Sequence, residues 1–321
     1  PDFTDLVADG AITMNREGAA YPYRYLGYQV GQFDFTSEIG RSAYGDRLNE
    51  AVSHGYDGWM EDFGEYAPPD AVYADGSHGM VEHNPYVRQY HCAAWEKTKS
   101  HPRPLLRFVR SGFTGSAACS PVVWGGDPST TWDFDGLLSS VRNGISMGLS
   151  GVGIWGSDIG GFFAITADQL SPELSARWVQ FGAFSGVMRN EADGYSYADT
   201  YRPQVIDSEQ IGNWRRYSKI RTQLYPYISS AAWEYRRSGM PMMRAMLLDF
   251  PKDPKSAGLD NQYMFGPDLL VAPVVEPGQS SRRLYLPEGR WIDFWRTFSY
   301  DESSGAIDSG PAKLLNGGGW R

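Results

Sequence analysis

Residues 58–66 read Gly58-Trp59-Met60-Glu61-Asp62-Phe63-Gly64-Glu65-Tyr66, an apolar, strand-like run that breaks off in three carboxylates before Ala67-Pro68-Pro69-Asp70. A strand that ends in acids where a proline-rich loop begins is how a β/α barrel presents carboxylates at its top face. The pattern returns at Pro121-Val122-Val123-Trp124-Gly125-Gly126-Asp127. Outward from these two runs, up to about residue 240, short β-type runs alternate with amphipathic helices, as parallel strands joined by crossover helices do. Strands are expected over 25–30, 58–63, 105–110, 122–124 and 152–155. These do not close a barrel of eight, so the expected fold is α/β, a (β/α)8 TIM barrel whose first strands lie upstream of this chain.

The helices carry clearer punctuation. Ser171-Pro172-Glu173 supplies an N-cap, a first-turn proline and a first-turn acid, with Trp178, Phe181, Gly182 and Ser185 on one face behind it. One long helix is expected over 209–234, turning Trp214, Ile220, Leu224, Tyr227 and Ile228 toward a core and stopping at Ser238-Gly239-Met240-Pro241. Beyond it the texture changes to short strands broken by Gly and Pro, over 242–248, 268–275, 282–286 and 291–295. The expected domains are a partial catalytic barrel over 1–240 and an incomplete β-sandwich-type domain over 241–321.

Composition narrows the partners. With 29 basic against 38 acidic residues, the net charge of -9 argues against a nucleic-acid backbone. No apolar stretch is long enough to span a bilayer. The 11 Trp and 20 Tyr offer flat apolar faces that suit sugar rings as well as cores. Two cysteines, Cys92 and Cys119, are too few for a disulfide framework and leave the compartment open. His54, His78, His83, His91 and His101 show no metal spacing and read as surface, loop or satisfied polar groups. The chain opens at Pro1 without an initiator Met and closes at Gly317-Gly318-Gly319-Trp320-Arg321, which reads as a piece of a longer protein.

Two acids at separate strand ends are the minimum set for breaking a glycosidic bond. Several further runs follow in a fixed order: Phe108-Val109-Arg110-Ser111-Gly112, Trp155-Gly156-Ser157-Asp158-Ile159-Gly160-Gly161-Phe162, and Arg177-Trp178-Val179-Gln180-Phe181-Gly182-Ala183-Phe184-Ser185. Together with Phe33-Asp34-Phe35-Thr36 and the run from Met264 to Val274, this order resembles glycoside hydrolase family 31. The resemblance implies a retaining α-glycosidase with Asp62 as nucleophile and Asp127 as general acid/base. Such enzymes hold the two carboxyl groups about 5–5.5 Å apart. Arg110 is the expected donor to Asp62, and Trp124 is expected to exclude water around Asp127. By the family pattern Asp158 accepts hydrogen bonds from sugar hydroxyls, and Trp59 and Trp155 are candidates to line the sugar pocket. Strand alternation turns Glu61 away from the side that Asp62 faces, toward scaffold pairing. No metal or other cofactor is implied, because carboxyl groups carry the chemistry.

Departures from the family pattern bear on the substrate. Where most relatives have a histidine, the run Met188-Arg189-Asn190-Glu191 places Glu191, which changes the donors and acceptors offered to one or two hydroxyls. The Asp62-Phe63-Gly64-Glu65-Tyr66 form leans toward the xylosidase and sulfoquinovosidase side of the family. Phe162 stands where the sulfoquinovosidase branch has a tyrosine. Transglycosylation, α-glucan lysis or non-catalytic carbohydrate binding on the same site are the alternative readings. The expected partner is an oligosaccharide or glycoside; sugar, linkage, oligomeric state and compartment stay open.

Overall fold

The structure, a computed structural model, describes residues 3–25, 27–120, 122–164, 170–191, 194–196 and 201–321. The chain forms two compact units, Pro1–Val123 and Trp124–Arg321.

In the first unit, α1 (Phe3–Ala8) is followed by β1 (Tyr23–Tyr25) and β2 (Tyr28–Val30). These two form an antiparallel hairpin where a single strand over 25–30 was expected. Gly27, at φ +84°, supplies the backbone conformation that turns the chain back. Next comes α2 (Glu38–Ser53), capped by Ser37, whose hydroxyl accepts the Gly40 N–H at 2.8 Å. Then β3 (Gly58–Glu61), α3 (Gly79–Thr98), β4 (Leu106–Val109) and the start of β5 (Val122–Trp124) build a parallel sheet. Gly58 lies opposite Leu106, Glu61 opposite Val109, and Val109 opposite Val123.

Helices α2 and α3 enclose an aromatic core of Phe35, Tyr44, Tyr73 and Tyr86. The Phe35 ring sits 5.3 Å from both Tyr44 and Tyr86. Buried Asp34 beside it accepts the Thr36 N–H (2.9 Å), the Thr36 hydroxyl (2.6 Å) and the Ala74 N–H (2.7 Å). The Phe33-Asp34-Phe35-Thr36 run is thus a core-and-turn module, in which a buried carboxylate is satisfied by three donors.

Cys92 and Cys119 form a disulfide, tying α3 to the chain that follows β4. Two cysteines are too few for a disulfide framework, and they supply this one bridge. Pairing depends on a Cα separation, 5.0 Å here, that folding sets and spacing in sequence does not. Closing a loop of 27 residues contributes about 3–4 kcal/mol.

In the second unit, α4 (Leu137–Leu149) buries Leu137, Val141 and Ile145 at helical spacing. It is followed by β6 (Ile154–Gly156), β7 (Asp158–Ile159) and β8 (Phe163–Ala164). Helix α5 (Pro172–Ala183) starts as its sequence predicts: the Ser171 hydroxyl accepts the Leu174 N–H at 3.2 Å, and Trp178 and Phe181 are buried. After β9 (Arg189–Asn190) and β10 (Tyr195–Ser196), the long helix expected over 209–234 is two helices, α6 (Ile211–Gln223) and α7 (Tyr225–Ser238). Pro226 sits in the first turn of α7, where its missing N–H and fixed φ favour a helix start over helix interior.

The strands β11 (Met243–Ala245), β12 (Tyr263–Phe265) and β13 (Leu269–Val271) form an antiparallel sheet. The strand expected over 242–248 ends early, because Met246–Asp249 is helical. Likewise the strand at Arg290–Ile292 gives way to a helical turn, Phe294–Thr297, capped by the Asp293 carboxylate on the Arg296 N–H at 3.2 Å.

Candidate active site

The functional candidates fall into two groups, one in each unit. In the first, parallel pairing decides the geometry: Glu61 is opposite Val109, so Asp62 and Arg110 leave adjacent strand ends together. Arg110 Nε lies 3.1 Å from Asp62 Oδ1, and its Nη2 donates to Glu65 Oε1 at 2.7 Å. The Phe63 N–H donates to Asp62 Oδ1 at 2.8 Å. The Asp62 side chain keeps 34 % of its surface open to solvent. Its carboxylate is thus oriented by two donors yet reachable.

Phe63 has φ +63°, the left-handed region, which a bulky side chain enters at a cost of about 1–3 kcal/mol. Its ring lies under the Arg110 guanidinium, 4.6 Å away, and edge-on to Tyr25 at 5.1 Å. The β1–β2 hairpin therefore reaches the rim of this group, a contact its sequence does not signal.

Beneath Asp62, Glu61 is fully buried and points the other way, as strand alternation requires. It accepts from Arg107 Nη1 at 2.6 Å and from the Trp59 indole N–H at 3.2 Å, and lies 2.8 Å from His91 Nδ1. Arg107 also donates to the Cys119 carbonyl at 2.5 Å. Trp59, half-buried, packs against the aromatic core. Removing one member of such a buried ionic set leaves uncompensated charge, at a cost of about 3–5 kcal/mol.

The second group lies where β5 ends. A Cβ on Gly125 would stand 2.8 Å from the Trp155 ring, and Gly126 has φ +79°, so the Trp-Gly-Gly lead-in admits the close packing that sets Asp127 in place. Asp127 is half-buried. Across β7 and β9, Asp158 stands opposite Arg189 and is bonded to it. Arg189 Nη1 also lies 3.4 Å from Glu191 Oε2. Asp158 is 1 % exposed, and burial pushes its pKa up to about 7; Arg189 opposes that rise, while Glu191 and Asp127 add to it. Trp124 and Trp155 are each 2 % exposed, so what they offer a ligand is the shape of a wall rather than an open face.

Sequence reasoning passed over Arg189 and Arg107, while His91, read with the other histidines as a surface, loop or satisfied polar group, is buried and bonded to Glu61 and Ser111. Arg189 stands directly across the strand pair from Asp158, and Arg107 from Trp59, but register is visible only in the fold. Among the described residues, no cluster of three or more His, Cys, Asp or Glu is arranged to hold a metal ion.

Residues 1–231 match the model of the glycosyl hydrolases family 31 TIM-barrel domain, and residues 239–314 match that of the family's C-terminal domain. The chain belongs to glycoside hydrolase family 31. Family members similar to it include a sulfoquinovosidase of Escherichia coli (strain K12), 32 % identical over 290 residues, covering 89 % of this chain and 42 % of that protein. An α-xylosidase of Emericella nidulans is 36 % identical over 298 residues, covering 89 % and 36 %. Among solved structures, a family 31 sulfoquinovosidase from E. rectale with an aza-sugar inhibitor superposes with a TM-score of 0.85 at 27 % identity, covering 98 % of this chain and 47 % of that one. A cycloalternan-degrading enzyme from Trueperella pyogenes, solved as a covalent intermediate, gives 0.81 at 30 % identity, covering 98 % and 43 %. The chain spans less than half the length of each of these relatives. As a family 31 chain it carries the TIM-barrel domain followed by the C-terminal domain.

Proposed function

We propose that the protein to which this chain belongs is a retaining α-glycosidase, hydrolysing terminal α-linked, α-glucoside-like substrates through a covalent glycosyl-aspartate. Asp62 is the nucleophile and Asp127 the general acid/base. The carrying observation is the setting of Asp62: a reachable carboxylate at a strand end, oriented by the Phe63 N–H and Arg110. An Asp62 oxygen attacks the anomeric carbon as the bond to the leaving oxygen breaks, and Asp127 gives that oxygen its proton. Water then attacks the same carbon, returning a proton to Asp127 and releasing Asp62. Asp158, Arg189 and Glu191 form an acid–base–acid row suited to binding sugar hydroxyls, with Trp124 and Trp155 shaping the wall of that group, while Trp59 packs in the core of the first unit. We place the border between the barrel and the C-terminal part near residue 240.

A second reading, transfer to a sugar acceptor in place of water, is favoured by similarity to an isomaltosyltransferase of Sporosarcina globispora, 35 % identical over 263 residues, covering 77 % of this chain and 24 % of that protein. Both readings share the first half-reaction. Incubating the full-length protein with a panel of 5-fluoro α-glycosyl fluorides and mapping peptides by mass tests it. A sugar adduct on the peptide holding Asp62 is expected, and the fastest-labelling member names the sugar; a folded protein that no member labels would sink the proposal for those sugars.

A further inference from the structure

Among the described residues, Phe63 is the non-glycine residue with positive φ, and it follows the proposed nucleophile directly. Gly64 after it also has positive φ, +99°, and a Cβ there would stand 3.0 Å from the Tyr90 ring and 3.2 Å from Ser111 Oγ. The turn is therefore laid down on those two side chains. Both carbonyls of the turn are held: the Tyr90 hydroxyl donates to Asp62 O at 3.2 Å, and the Ser111 hydroxyl to Phe63 O at 2.5 Å.

Ser111 is held in turn. His91 Nε2 lies 3.3 Å from its hydroxyl and 3.2 Å from its carbonyl, while Nδ1 lies 2.8 Å from Glu61. His91 itself is 0 % exposed. Glu61, His91, Ser111 and Phe63 thus make a closed polar circuit whose two ends are the neighbours of Asp62 on either side. The mechanism above uses none of its side chains.

We infer that this circuit, with Ser111 as its key member, is a positioning device that holds the strained Asp62–Phe63 turn so that the Asp62 carboxylate is aimed for attack. The inference rests on the proposed role of Asp62. An Asp62 whose neighbours are pinned has little freedom to leave the line of attack, and misplacement of a reacting group by about 1 Å costs on the order of 100-fold in rate. The circuit acts on glycosylation through backbone geometry and touches no sugar. Its loss lowers the rate of the step and leaves sugar affinity in place.

Ser111→Ala and Ser111→Thr in the full-length protein test this, each checked for folding by circular dichroism and thermal melting. With a 5-fluoro glycosyl fluoride that labels the wild type, Ser111→Ala is expected to lower the limiting labelling rate about 10- to 100-fold, with half-saturation changed less than about threefold. Ser111→Thr, which keeps a hydroxyl, should recover to within about fivefold of wild type. A crystal structure of Ser111→Ala should show Phe63 leaving the left-handed region or the Asp62 carboxylate turned aside. Wild-type labelling by Ser111→Ala, or a crystal structure of it with the Asp62–Phe63 turn unmoved, would overturn the inference. Absence of any wild-type adduct would instead remove the proposed role of Asp62, while the crystal structure still decides whether Ser111 holds the turn.

Discussion

Asp62, just past the end of a parallel strand, and Asp158, at the start of one, are both aspartates beside an arginine, yet their surroundings differ. Asp62 keeps a third of its side chain open, shares Arg110 with Glu65, and rests on a turn whose carbonyls are pinned by side chains. Asp158 is closed off from water, with Arg189 shared with Glu191 and Asp127 adding to the local negative charge. The same ion pair therefore serves different ends. At the open site the arginine orients a carboxylate that a substrate can reach; at the closed site desolvation outweighs the arginine and holds the proton affinity near neutrality.

The sharpest way to break this comparison is to remove the proposed reacting groups. Asp62→Ala should lower kcat by about 10⁴-fold or more, since it deletes the atom that bonds to the sugar. Asp127→Ala should cost about 10²- to 10⁴-fold on substrates with poor leaving groups and far less on activated aryl glycosides, which need little protonation. Steady-state kinetics on both substrate types separates the two; equal losses for the two variants on activated substrates would contradict the assignment.

Arg107→Met probes the foundation under Asp62. It strands buried Glu61 and should destabilise the fold by about 3–5 kcal/mol, read as a lower urea midpoint. An unchanged midpoint would mean that the ionic set does not hold the strand. Replacing both Cys92 and Cys119 by Ser should cost about 3–4 kcal/mol, somewhat less than the Arg107 change at its upper end. Since Arg107 also bonds the Cys119 carbonyl, the two losses should be less than additive when combined.

The effect of Asp158 is read against pH. Its folded pKa, raised to about 7, lies above the unfolded value near 3.9, so between these pH values the folded state holds more protons. Stability from this group is therefore greatest at low pH, declines as pH rises toward 7, and is level above it. Asp158→Asn cannot titrate and should flatten that decline, gaining on the wild type at pH 8 relative to pH 4. Parallel urea-unfolding profiles of the two proteins across this range would show that burial does not govern Asp158.

Much of the local structure around the candidate site could be read before the fold was seen. The acid-ended runs brought forward Asp62 and Asp127 as candidates, strand alternation turned Glu61 away from Asp62, and Ser171-Pro172-Glu173 placed the start of α5, because these signals are local and periodic. Where local signals competed, reading along the chain erred. Apolar residues continue at helical spacing through Leu224, yet Pro226 starts a new helix; residues 25–30 look like one strand, yet Gly27 folds them into a hairpin.

The sequence by itself determined the family, the alternation of strands and helices, and the acids proposed for the chemistry, since all of these are written in residue type, order and short-range spacing. Only the tertiary structure decided that Cys92 meets Cys119, that Arg189 faces Asp158, and that His91 lies buried between Glu61 and Ser111. Each of these depends on the register of strands and the docking of helices far apart in the chain. That arrangement is selected by burial of the whole core and leaves no mark in the residues nearby.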